Sequence, residues 1–273
     1  DMVLLRSSSA YGSRVSTPTN KSSRLLADID VLKSLLNESK LGATVEVVTT
    51  VDSTQKALLN RPKAMLNSGV TLVAHHQSAG VGRLERKWES EPGDGLMMSV
   101  ALHGDDPLLP LHIGNELVAA LIPYLPNIKL KWPNDLVVEV DGKTRKHGGI
   151  LLQRHSEDSK IVIVGIGINF KFSGSRPTTE AISLSDLVAT LPDINVLTAE
   201  ILKRLLGDSK NVIETYRNNC LTIGKDVVVQ MINTEDVVGR AVEVSNQGGL
   251  VIETMAGKVE VLTGDVKHLR ASE

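Results

Sequence analysis

The segment Gln77-Ser78-Ala79-Gly80-Val81-Gly82-Arg83-Leu84-Glu85-Arg86-Lys87-Trp88 gathers the residue types that hold a polyanion. Gly80 and Gly82 let backbone N–H groups approach oxygens closely, and Arg83, Arg86 and Lys87 bring cations that neutralise phosphate. Trp88 adds an apolar plate, either closing over a ligand or packing into the core. The spacing fits neither a Walker A loop nor a dinucleotide-binding fingerprint, and no strand–helix dinucleotide unit surrounds it. The loop alone leaves two readings open, a phosphate cradle and an ordinary solvated basic loop.

Three further segments carry polar groups on rigid corners. In Lys131-Trp132-Pro133-Asn134-Asp135, Pro133 fixes its own φ and pushes Trp132 into an extended conformation. An amide and a carboxylate then project from a strand end, as a ligand site or as a plain terminating turn. In Lys146-His147-Gly148-Gly149-Ile150-Leu151, Lys146 is expected to open the returning strand of a hairpin turned at Asp141-Gly142. Two glycines inside a strand read as a β-bulge or as room for a ligand against the backbone. Gly165-Ile166-Gly167-Ile168-Asn169 repeats the pattern, and two glycine-thinned strands favour a buried flat ligand. Ser53-Thr54-Gln55 follows a strand, where Ser53 is equally suited to cap a helix. The seven histidines show no metal-ligand spacing, so no metal ligand is assigned to the chain.

The elements that must position these residues follow from periodicity. A helix is expected from Leu25-Leu26 through Leu36, then strands at Thr44–Val51, Val70–Ala74 and Leu96–Leu102, and a helix at Pro110–Leu125. Short strands follow at Ile128–Trp132, Leu136–Val140, His147–Gln153 and Ile161–Ile168, and one helical region at Ala199–Tyr216. Beyond Cys220 only short strands are expected, at Asp226–Ile232, Val237–Val244, Leu250–Thr254 and Val259–Leu262. This gives an α+β class: a mixed β-sheet flanked by helices, plus a small C-terminal β-barrel. The expected division is a disordered Ser/Thr-rich tail over 1–23, a catalytic unit over 24–219 and a C-terminal unit over 220–273.

Composition narrows the function. The 273 residues carry 30 Lys+Arg against 32 Asp+Glu, so no basic excess marks a nucleic-acid partner. No apolar run approaches the ~20 residues a bilayer needs, and the tail has no secretory apolar stretch. A single cysteine, Cys220, cannot form an internal disulfide, which points to the cytoplasm.

Taken together, Ser53-Thr54-Gln55, Gln77 to Arg83, Lys131 to Asp135, Lys146 to Leu151 and Gly165 to Asn169 resemble the biotin protein ligase family in order and spacing. Residues 44 to 170 carry most of the likeness. Asn246-Gln247-Gly248-Gly249-Leu250 resembles the family's small SH3-like domain. The resemblance implies the fold of class II synthetase and lipoate ligase catalytic domains. It implies activation of biotin by Mg²⁺-ATP to biotinyl-5′-AMP, then transfer to a lysine of the biotin carboxyl carrier domain of acetyl-CoA or a related carboxylase. By that resemblance Ser53, Thr54, Gln55 and Gln77 serve the biotin ring, with Val81, Gly82, Gly149 and Gly165 lining its site. Arg83 and Arg86 serve the phosphates, and Lys146 serves the biotin carboxyl oxygen and α-phosphate. Gly80, Trp88, Asn134 and Asn169 serve the adenylate, and Asp135 orients or deprotonates the incoming amine. The implied protein is a monomer or weak dimer of the monofunctional type, since nothing before residue 44 is patterned as a winged-helix DNA-binding domain.

The sequence departs from the family's Gly-Arg-Gly-Arg-x-Gly-Arg loop at Val81 and Glu85. One removes a cation and the other adds an anion, so the expectation is a weaker hold on the adenylate. Competing readings are a lipoate–protein ligase on the same fold, a biotin-binding regulator without catalysis, and an inactive relative.

Overall fold

The main sheet has seven strands: Val45–Val51 (β1), Thr71–Gln77 (β2), Gly95–His103 (β5), Lys129–Lys131 (β6), Asp135–Val140 (β7), Lys143–Arg154 (β8) and Ile161–Asn169 (β9). Their order is β1-β2-β5-β9-β8-β7-β6, parallel only between β1 and β2. Gly80–Val81 (β3) and Lys87–Trp88 (β4) form a separate two-stranded hairpin inside the glycine- and arginine-rich loop. The computed structural model describes residues 26–37, 44–207, 210–231 and 234–269; the tail expected over 1–23 lies outside them.

Alternation along the strands sorts the two faces of the sheet. On β9, Val162, Val164, Ile166 and Ile168 enter the large core, beneath helices Leu109–Leu121 (α3) and Ile194–Leu205 (α4). Ile161 and Ile163 point the other way, into a smaller cluster with Leu58 of helix Thr54–Leu59 (α2) and Leu72. Gly165 and Gly167 continue that second face past the end of the smaller cluster. β9 adds no side chain of its own there, and the cleft opens on that stretch.

The helical region expected over Ala199–Tyr216 is two helices. The first, α4, begins earlier, at Ile194, where Asp193 caps the Asn195 N–H. The second runs Val212–Asn219 (α5) after Asn211, whose φ of 55° lies in the left-handed region and interrupts the run. The Asp141-Gly142 turn forms as expected, with φ of 50° and 67°, the geometry that suits a two-residue hairpin. Its returning strand opens at Lys143 rather than Lys146, which sits opposite Val137 at a register shift.

A second, five-stranded antiparallel sheet comprises Asp226–Gln230 (β10), Val237–Val244 (β11), Leu250–Thr254 (β12), Gly257–Val261 (β13) and Asp265–His268 (β14), in the order β13-β12-β11-β10-β14. The last strand has no counterpart in the sequence reading. The two sheets share one continuous apolar core. Trp132, only 2% exposed, is a main tie: its backbone N–H donates to Thr222 Oγ1 at 3.1 Å and its indole Nε1–H to Gly248 O at 3.0 Å.

Candidate active site

A cleft of ≈ 1670 Å³ lies between the bare face of the main sheet, the β3–β4 loop and strand β14. Single ligand pockets commonly measure about 300–1,000 Å³, so this one has room for a ligand of more than one part. Among the described residues no helix is long and apolar enough to cross a membrane.

At one end the floor is a connected row of polar groups. Ser53 caps α2, its side chain accepting from the Lys56 N–H. Thr54 donates from both its N–H (2.7 Å) and its hydroxyl (3.0 Å) to Gln77 Oε1. The Thr54 hydroxyl also lies 2.9 Å from Ser99 Oγ, which donates to Gln55 Oε1 at 3.2 Å; Gln55 Nε2 donates to Ile163 O at 3.0 Å. A Cβ on Gly165 would stand 2.7 Å from Gln55 Oε1, so the glycine is what lets this amide lie on the sheet.

Over the middle of the floor the β3–β4 hairpin lays the Trp88 indole on the sheet. A Cβ on Gly167 would meet the indole at 2.5 Å, and Gly149 lies against its far edge. The groups over the glycine-thinned strands are thus the chain's own, Gln55 at Gly165 and Trp88 at Gly167, where the sequence reading favoured a flat ligand over a β-bulge. Its Nε1 is buried without a hydrogen-bond partner. Gly80 does not line the cleft; it lets the hairpin close, since a Cβ there would stand 2.4 Å from Trp88 O.

The departures in the loop act differently from expectation. Val81 faces the cleft, but Glu85 is exposed and outside it. Leu84 and Glu85 both hold left-handed φ values, 54° and 56°. In place of glycine, Glu85 thus brings backbone strain of about 1–3 kcal/mol rather than charge repulsion across the cleft.

The cations are already engaged by anion-like partners. Arg83 donates to Asn134 Oδ1 at 3.1 Å and to Gly264 O at 3.2 Å. Asn134 is pinned for this, since its Nδ2 donates to Ile150 O at 2.8 Å and its own C=O accepts the Ile150 N–H. Arg86 forms an ion pair with Asp265 of β14. Burial pushes the Asp265 carboxyl up, but the Arg86 guanidinium outweighs it and holds the group below the usual carboxylate range. Deeper in, Lys146 Nζ lies 2.7 Å from Asp135 Oδ1.

Beside Lys146 at the register shift, His147 is fully buried and neither ring nitrogen makes a hydrogen bond. Burial lowers its pKa to about 4, opposed only weakly by the Ile182 backbone. The neutral ring is the folded form, whereas the unfolded chain takes up a proton near its ordinary value of about 6.5. Stability is therefore full above about pH 6.5 and lost as pH falls toward 4, by about 2 kcal/mol between pH 7 and pH 5. His147→Leu should flatten that acid limb in urea titrations at the two pH values. An unchanged limb would show that other groups set it.

Of the residues to which the family resemblance gives a role, all line this cleft except Gly80. Asn169 closes the far end, its Nδ2 donating to Ile182 O at 3.3 Å. Among the lining residues that sequence reasoning missed are Ser99, the 176–181 segment and the wall from Asp265 to Leu269, none of which any local pattern flagged. Lys131 and Gly167 lie inside segments singled out in the sequence, though without a role of their own.

Residues 47–169 match the biotin/lipoate A/B protein ligase family, and residues 222–269 match the biotin protein ligase C-terminal domain. The chain is 31% identical to the biotin–[acetyl-CoA-carboxylase] ligase of Mycobacterium tuberculosis, across 83% of this chain and 89% of that protein. It is 26% identical to the bifunctional ligase/repressor of Bacillus subtilis, across 85% of this chain and 78% of that protein. Among solved structures, the biotin protein ligase of Aquifex aeolicus in complex with biotin and ATP superposes with a TM-score of 0.70 at 28% identity, covering 84% of this chain and 99% of that one.

Proposed function

This chain belongs to the biotin/lipoate A/B protein ligase family, and we propose that it is a biotin protein ligase that makes biotinyl-5′-AMP from biotin and ATP and passes the biotinyl group to a carrier-domain lysine. One observation supports this above all. A single cleft joins a polar row suited to a urea, a cation cluster suited to phosphates, and a lysine–aspartate pair between them. Biotin, rather than lipoate, has the ring that Thr54 and Gln77 can hydrogen-bond.

In the first step a biotin carboxylate oxygen attacks the α-phosphorus of ATP, an acyl–O–P bond forms, and pyrophosphate leaves. Two negative groups must meet, so preorganised cations lower the barrier. Arg83 and Arg86 bind the phosphates, exchanging Gly264 O and Asp265 for phosphate oxygens. Asn134 holds Arg83 in place, and Lys146 turns from Asp135 to the oxygen bridging carbonyl and phosphate. Trp88 and Gly149 cover the acyl chain and adenylate, while Asn169 serves the adenine end. In the second step the carrier lysine nitrogen attacks the acyl carbon and AMP leaves. Asp135, released from Lys146, accepts a proton from the lysine ammonium, since only the neutral amine has a lone pair with which to attack. Mg²⁺ would enter with the nucleotide, bound to the phosphates it accompanies.

Finer points belong to the same proposal. The carrier is that of acetyl-CoA carboxylase or a related enzyme, as the name of the Mycobacterium tuberculosis relative suggests. Work in the cytoplasm fits the one buried, unpaired Cys220. A monomer or weak dimer is part of the same reading, as the family resemblance implies.

The deciding experiment incubates the chain with biotin, Mg²⁺-ATP and an apo carrier domain, read by intact mass, with lipoate in a parallel arm. A gain of one biotinyl group on the carrier is expected. Addition of lipoyl alone, or of nothing, would overturn the reading.

A further inference from the structure

Ser99 is the one side chain of the polar row that meets no requirement of its own strand. It lies in β5, whose Gly95–Leu102 stretch is wholly buried, and it is itself 0% exposed. Its neighbours across the sheet are Leu72 on β2 and Gly165 on β9, so its hydroxyl stands on the open face between α2 and the cleft. A buried hydroxyl with no partner would be costly. Here it touches two groups, Thr54 Oγ1 at 2.9 Å and Gln55 Oε1 at 3.2 Å.

The directions of these bonds follow from proton counting. Gln55 must present its NH₂ to Ile163 O, which only accepts, so Gln55 Oε1 is turned to Ser99 and needs a donor. Ser99 carries one proton and gives it there. The Ser99 oxygen then only accepts, so the Thr54 proton is shared between Ser99 Oγ and Gln77 Oε1, two acceptors inside the protein. Neither arrangement sends that proton into the cleft. What Thr54 offers a ligand is a lone pair.

We infer that Ser99 is a positioning residue for ligand specificity: by fixing the Thr54 hydroxyl as an acceptor, it makes the cleft select a cyclic urea that still carries an N–H donor. The inference rests on the proposed function and deepens it. Ser99 touches no ligand in this scheme. It acts through Thr54 and through Gln55, which occupies the space that Gly165 leaves free.

The test uses the full chain and two ligands, biotin and biotin methylated on one ureido nitrogen, each N-methyl isomer taken separately. In Ser99→Ala, Thr54 loses one of its two internal partners and its hydroxyl is held by Gln77 Oε1 alone, so the KM for biotin should rise about tenfold, the loss of roughly one hydrogen bond. The KM for ATP and kcat should stay within about twofold. The preference for biotin over the isomer methylated on the nitrogen that faces Thr54 should shrink by a similar factor. On a Thr54→Val background, Ser99→Ala should add less than twofold, because a residue acting through Thr54 has nothing left to orient. If Ser99→Ala does not fold, Ser99→Cys keeps volume but donates weakly and should show the same loss of preference. Equal losses for biotin and both isomers, a parallel rise in the KM for ATP, or full additivity with Thr54→Val would each overturn the inference. Failure of the wild type to bind biotin at all would instead overturn the proposed function, and this inference with it.

Discussion

Lys146→Ala should slow formation of biotinyl-AMP by about 10²–10³-fold, the cost of removing one preorganised donor aimed at developing charge. The structure explains why no neighbour substitutes for it. Lys146 is fixed by the register shift opposite Leu136 and Val137 and by a bridge to Ala181, which together aim its side chain over Gly149 toward Asp135. Arg83 and Arg86 are tied toward Asn134, Gly264 and Asp265. The variant should remain folded, since the Lys146–Asp135 pair is partly exposed and pairs of that kind contribute about 0–1 kcal/mol. The measurement is pyrophosphate release with biotin and ATP. A rate within about threefold of wild type would remove Lys146 from the chemistry. Supplying preformed biotinyl-AMP separates the steps: the Lys146→Ala variant should then transfer to carrier far better than Asp135→Asn, which lacks the proton acceptor.

The parts of this site legible in the sequence were those written in local spacing. Gly165 and Gly167 sit two apart on one face of a strand, and that alone marks a bare surface. Asp141-Gly142 announced its hairpin because both positions need positive φ. The misses have the opposite character. Arg86 and Asp265 are 179 positions apart, and no periodicity links a loop cation to a strand that the sequence did not announce. Ser99 lies inside Leu96-Met97-Met98-Ser99-Val100, where hydropathy reads core and a buried hydroxyl leaves no signal. The break between α4 and α5 was masked by apolar residues at helical spacing on both sides, although Gly207 and Asn211 are the residue types that end and restart helices. The sequence offers Trp88 as an apolar plate, but its resting place on Gly167 depends on the hairpin angle of β3 and β4. Angles of that kind are set by tertiary packing.

Arg83→Gly should release biotinyl-AMP roughly 10²-fold faster than wild type and so label lysines on bystander proteins. Each hydrogen bond from a guanidinium to a charged oxygen is worth about 1.5–3 kcal/mol, and the planar fork offers two. Arg83 is also the residue that joins the loop to both sheets, through Asn134 on one side and Gly264 on the other. Its burial already lowers its pKa, opposed by the Asp265 and Asp135 carboxylates, so an anion entering the cleft meets a partly desolvated cation. Losing it removes both the charge that holds the phosphate and the tie that keeps the loop over it. Three variants distinguish these effects. Arg83→Lys keeps the charge without the fork and should release adenylate at an intermediate rate. Arg83→Ala separates loss of the side chain from the added backbone freedom of glycine and should approach the Arg83→Gly rate. The readouts are dissociation of preformed biotinyl-AMP and biotin found by mass on an unrelated acceptor protein. If Arg83→Gly holds its intermediate as long as wild type and labels no bystander, the phosphate is held elsewhere, by others of the cations that line the cleft, among them Arg86, Lys131 and Lys146.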